Sequence, residues 1–125
     1  MIKQITLVAF GGAAGSVSRY LISLWGAKRF DFIFPLSTFI INITGCFIIG
    51  FLIGLSMRHF VLGNELKLLL IVGFCGGYTT FSTFSAENLK LIETGNFWTF
   101  AAYTAGSILF GLIAVWSGNI LSKIV

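Results

Sequence analysis

Charge is what this sequence has least of. Of its 125 residues only 10% are charged, against about 25% in an ordinary soluble domain. That deficit excludes the water-soluble globular classes and places the chain in a lipid bilayer. Acids are the scarcer sign, 4 against 8 Lys and Arg. None falls within 4–26, 34–57 or 96–122. A cation or proton carrier binds its ion on a buried carboxylate, so this distribution favours an anion as the traveller. The basic residues form no run, which argues against nucleic acid as a partner. Lys28, Arg58 and Lys67 read more simply as anchors at the membrane surface. The two cysteines, Cys46 and Cys75, fall mid-span and show no metal-ligand spacing. They are expected as small apolar packing residues without a disulfide. His59, the one histidine, is expected in a solvated loop.

The gaps between charges define the architecture. Residues 4–18, 32–57, 68–86 and 94–122 carry no charge. Crossing a bilayer takes about 20 mostly apolar residues per helix. The pattern predicts an all-α membrane protein, a single domain over 1–125, with spans at about 4–26, 34–57, 66–92 and 96–122. Nothing of that length is left for a soluble or catalytic lobe, and the chain is not expected to be an enzyme. The first apolar stretch continues through Arg19 and Tyr20 to Trp25, as a retained span does and a cleaved signal does not.

With four spans, Lys3, Arg58, Lys67 and Lys123 share one side, while Lys28, Arg29 and Lys90 share the other. The positive-inside rule needs an excess of Lys and Arg on one side. The near balance predicts insertion both ways and an antiparallel homodimer, an inverted repeat made by two chains. Gly11 and Gly15, Gly50 and Gly54, and Gly73 and Gly77 are each four residues apart. That spacing lets helix backbones approach closely, within one chain or between two.

Polar groups inside a span mark pathways or pairings. Arg19 shares a face with Ser16 and Ser23, and either faces a cavity or snorkels to the interface. Asn42 has Thr38 one turn before it, and either serves a pathway or bonds a neighbouring helix. Glu87 follows an aromatic run, with Lys90 in reach as a partner. Tyr103 and Ser107 share a face of the fourth span.

The stretch "GFCGGYTTFSTFS", 73–85, is the most informative. Gly76 and Gly77 predict a break in the third span near 76–80. Irregular backbone at membrane depth survives only when buried in protein or lining a cavity. Freed carbonyls facing inward from two chains suit a small cation such as Na⁺. Beyond the break, Phe81 and Phe84 lie on one face, with Ser82 and Thr83 beside them. Phenyl edges are weakly positive and hydroxyls donate hydrogen bonds. Together they suit a small, strongly hydrated anion that must be bound and released.

Three stretches, "GGAAGSVSRY" at 11–20, "STFIINITGCFIIG" at 37–50 and "GFCGGYTTFSTFSAE" at 73–87, resemble the Fluc (CrcB) fluoride channel family, and the likeness runs the full length. Ser37 stands where that family usually has Gly, and Tyr78 where Phe is common. The resemblance implies a dual-topology antiparallel homodimer with two pores, in the cell (inner or plasma) membrane. It implies that Phe81 and Phe84 line fluoride sites and that Asn42 donates a hydrogen bond in the pore. It assigns Ser82 and Thr83 to a polar track with Tyr103 nearby, Arg19 to a vestibule, and Glu87 to a pore end. It implies a central Na⁺ held by the carbonyls of Gly76 and Thr79 from both chains. The implied function is passive fluoride export driven by membrane potential, and hence fluoride resistance. The alternatives are a small dual-topology multidrug exporter, which wants a carboxylate in the first span, and a non-transporting assembly subunit.

Overall fold

The computed structural model describes residues 1–59 and 62–125, and every regular element among them is a helix. Four helical runs are long and apolar enough to cross a membrane: Ile2–Arg29, Leu36–Met57, Asn64–Glu93 and Phe97–Leu121. The first helix, α1 (Ile2–Arg29), stops at Phe30, which turns extended at φ −125° and ψ 122°. It runs three residues past the expected limit at 26. Lys28 and Arg29 sit in its last turn, where cations offset the carbonyl end of the helix dipole.

Pro35 opens α2 (Leu36–His59), its carbonyl accepting the Phe39 N–H at 3.1 Å. The side chains of Arg58 and His59, expected as an anchor and a solvated loop residue, lie outside the described residues. The third run is composite. It begins as α3 (Asn64–Leu66), widens into a π-helix over Lys67–Cys75 and tightens again in α4 (Gly76–Tyr78). After Thr79 and Thr80 it continues as α5 (Phe81–Glu93). The last helix is α6 (Phe97–Leu121).

A three-residue connection turns α5 back onto α6. Gly95 stands at φ 74°, a left-handed conformation that glycine adopts without strain. Its N–H reaches the Ile92 carbonyl at 3.0 Å, and the Asn96 N–H reaches Leu91 at 2.8 Å. These two bonds are a Schellman motif, which satisfies the carbonyls left over at a helix end.

Glycine lets the helices touch backbone to backbone. A Cβ on Gly15 would stand 2.2 Å from the Phe74 carbonyl oxygen, and one on Gly11 would stand 2.0 Å from that of Leu69. Gly77 meets Gly12 in the same way, at 2.4 Å. These contacts seal α1 against the first half of the third run. On the other side, Gly50 approaches Val115 and Gly118 approaches Phe47, sealing α2 against α6. The glycine pairs read from the sequence thus serve contacts within one chain. The pair at Gly76 and Gly77 does not itself leave the helix; Gly77 is a packing residue. Lys3 and Glu65 form an exposed ion pair between the start of α1 and the start of the third run.

One outcome tests the packing. Gly15→Ala forces a methyl into the Phe74 carbonyl and lowers the stability of purified protein by about 1–3 kcal/mol. Gly63→Ala, where a Cβ would meet nothing within 4 Å, stays within about 0.5 kcal/mol of wild type. Thermal unfolding in detergent, read side by side, checks the contrast.

Candidate functional site

Between Tyr78 and Phe81 the backbone leaves helical geometry. Thr79 stands at φ −80° and ψ 156°, and Thr80 at φ −149° and ψ 115°. The last helical bond before this point is from the Thr79 N–H to the Cys75 carbonyl, at 3.0 Å. In a continuous helix the Thr80 N–H would donate to the carbonyl of Gly76. Instead it donates to Asn42 Oδ1 at 2.8 Å, while Asn42 Nδ2 donates to the Thr80 carbonyl at 3.1 Å. One side-chain amide thus satisfies both polar groups of the extended residue. Thr80 in turn caps α5, its Oγ1 accepting the Thr83 N–H at 3.2 Å. It also donates to Thr83 Oγ1 at 3.0 Å, and Ser82 Oγ lies 3.3 Å away.

A second polar residue of α2 secures the other side of the interruption. Thr44 Oγ1 and Tyr78 Oη are 2.8 Å apart, and the Tyr78 ring stacks on Phe74 at 5.6 Å. The tyrosine that departs from the resembled family's common Phe is therefore a hydrogen-bonded core residue.

A cavity of about 350 Å³ opens beside the interruption, lined by Asn42, Cys46, Thr80, Phe81, Phe84 and Ser107 among others. No acid borders it. The Phe81 and Phe84 rings are 5.9 Å apart, and Phe84 lies 5.0 Å from Tyr103. Phe81 is 79% exposed, so one copy of the chain covers little of it. Ser107 Oγ is buried and has no hydrogen-bond partner among the described residues. A buried hydroxyl without a partner is expensive, and this one lies in the wall of a cavity.

A second cavity, of about 210 Å³, is bordered by Ser16, Arg19, Ser23, Thr38, Thr80 and Thr83. Thr80 lines both cavities. Farther along α5, Glu87 accepts from Thr38 Oγ1 at 2.7 Å and from Tyr103 Oη at 2.6 Å. The carboxylate thus binds α2 and α6 rather than Lys90.

The sequence-derived site residues divide accordingly. Asn42, Phe81 and Phe84 meet in the first cavity, and Arg19 and Thr83 in the second. Ser82 is exposed beside Thr80. Tyr103 is fully buried, with its hydroxyl committed to Glu87. Thr38 and Thr80 were legible only as neighbours of Asn42 and members of the hydroxyl run. Ser107 was visible as the residue sharing a face with Tyr103, and its lack of a partner needed coordinates. Gly76 is exposed, and a Cβ there would meet nothing within 4 Å. With the Thr80 N–H diverted to Asn42, the Gly76 carbonyl lacks its helical donor. Among the described residues no cluster of three His, Cys, Asp or Glu side chains is placed to hold a metal.

The chain is similar to known proteins over almost its whole length. The family described as CrcB-like protein, Camphor Resistance (CrcB), matches residues 6–119. A protein of Azobacteroides pseudotrichonymphae named fluoride-specific ion channel FluC is 46% identical over 98% of both chains. Proteins of the same name from Flavobacterium psychrophilum and Phocaeicola vulgatus are 42% and 39% identical, each over 98% of this chain and 98% and 100% of their own. Four helical runs long and apolar enough to cross a membrane and these relatives agree: the chain is an integral membrane protein and belongs to the CrcB family.

Proposed function

We propose that this chain is the subunit of a fluoride-selective channel, formed by two antiparallel copies, that lets fluoride leave the cell down its electrochemical gradient. The observation that carries the reading is the cavity at the interruption. It brings two phenyl rings, one side-chain amide and an unpartnered hydroxyl together where no carboxylate repels an anion. The relatives named as fluoride-specific channels supply the identity of the ion.

Each group has a task. Arg19 draws anions into its basin, where Ser16, Ser23 and Thr83 offer hydroxyls. Thr80 borders both that basin and the aromatic cavity, so the ion passes along it. Asn42 spends one amide proton on the Thr80 carbonyl and keeps a second to donate. Ser107 donates its free hydroxyl. The edges of Phe81 and Phe84 add weak attraction without a trap. Ser82 extends the polar track, and Glu87 with Tyr103 closes the path near its end. Membrane potential, negative inside, drives the anion outward with no coupled ion.

The third run counts, in this reading, as one membrane span broken at Thr79 and Thr80. A second copy covers the exposed Phe81 and brings two sets of Gly76 and Thr79 carbonyls together. Na⁺ bound there would supply positive charge against carbonyl dipoles that no N–H answers. Lipid covers the remaining exposed apolar surface, in the cell membrane.

Liposomes containing the purified chain test the function. With a K⁺ gradient and valinomycin, fluoride leaves rapidly and chloride hardly at all. Release of both ions would remove selectivity, and release of neither from folded dimer would point to an assembly subunit. In the same assay Phe81→Ile and Phe84→Ile each lower fluoride flux by about tenfold or more, the effect of about 1.4 kcal/mol in the barrier, while gel filtration still shows a dimer. Adding two Lys to the 27–32 loop biases orientation. Cells carrying that variant then show fewer functional dimers and lower fluoride resistance.

A further inference from the structure

The residue after Glu87 has no part in the pathway described above, yet it is buried and hydrogen-bonded at both ends of its amide. Asn88 is 7% exposed. Its Oδ1 accepts from Thr104 Oγ1 of α6 at 3.0 Å, and its Nδ2 donates to the Phe84 carbonyl at 3.1 Å.

Helix geometry gives this pair its meaning. Asn88 follows Phe84 by four residues and Phe81 by seven, so all three share one face of α5. Glu87 is six residues past Phe81 and lies off that face. On α6, Ser107 and Ile108 follow Thr104 by three and four residues, and both line the aromatic cavity. The two helices run antiparallel through a three-residue turn. Setting Asn88 against Thr104 therefore sets Phe84 against Ser107 and Ile108, one turn closer to the interruption.

The interruption makes such a device necessary. Because Thr79 and Thr80 are extended, α5 does not inherit its rotation from the helix before it. Its start is held by the Asn42–Thr80 bonds and its Glu87 side by Thr38 and Tyr103, and on the phenyl face the fixed point is Asn88. We infer that Asn88 and Thr104 are a positioning pair that fixes the rotation of α5 and the spacing of the α5–α6 seam, and thereby the fluoride-over-chloride selectivity of the aromatic cavity. The inference rests on the channel reading above.

The test compares wild type, Thr104→Val, Thr104→Ser and Asn88→Leu as purified protein in liposomes, with fluoride and chloride efflux measured together. Thr104→Val changes shape little but deletes the hydroxyl. Its fluoride-to-chloride rate ratio falls by about tenfold, with the protein still folded and dimeric. Asn88→Leu does the same, and the double variant is no worse than the worse single, as for two residues acting through one bond. Thr104→Ser keeps the hydroxyl and most of the ratio. Wild-type ratios in both Thr104→Val and Asn88→Leu would overturn the positioning role alone. Failure of Thr104→Val to fold would assign the pair to folding and overturn it as well. A wild-type chain that passes no fluoride would overturn the channel reading together with this one.

Discussion

A peptide group that loses its helical partner inside a bilayer finds no water to replace it. At Thr80 the N–H loses its helical acceptor, and Asn42 accepts it while also donating to the Thr80 carbonyl. The rest of the site follows from this exchange. The extended residue frees Thr80 Oγ1 to cap α5. The diverted N–H frees the Gly76 carbonyl, and the change of direction swings Phe81 and Phe84 toward a cavity. Thr38 and Thr44, on the same helix as Asn42, hold the segments on either side through Glu87 and Tyr78. Three polar residues of the otherwise mostly apolar second helix thus hold the irregular stretch in place.

Much of this could be read from the chain alone, and the reasons differ by residue. The runs of uncharged residues were long enough to mark four helices without reference to packing. The hydroxyl–phenyl stretch was conspicuous because a lipid-facing helix has no use for it. The role of Gly76 and Gly77 was harder. Glycine signals either a broken helix or a close approach of backbones, and here Gly77 serves the approach while the threonines after it leave the helix. Glu87 misled in another way. Its nearest charge along the helix is Lys90, but the hydroxyls that bind it come from 49 and 16 residues away. Local spacing has no access to such partners. Nothing in the sequence singled out Asn88, for the same reason.

The contrast between Glu87 and Asn88 shows how neighbouring residues divide labour across a helix. Each bonds a residue 16 positions along on α6. One presents a charge to two hydroxyls, and the other holds the aromatic face still. A helix that starts afresh after an interruption needs both an end cap and a lateral fix. Without the second, the phenyl face would be free to turn, and in the channel reading proposed above the cavity would lose its fixed width.

At the described glycines, the closest approaches to a neighbouring backbone join the first helix to the third run and the second helix to the last. That pattern interleaves the chain instead of nesting it. During synthesis the glycine face of the first helix stays open until the third run has entered the membrane, and that of the second stays open until the fourth arrives. No helix completes its tightest contact with the one made just after it. The full set of close contacts is therefore complete only once α6 is in place, and a chain cut short before α6 leaves the helix that carries Asn42 without its closest packing partner.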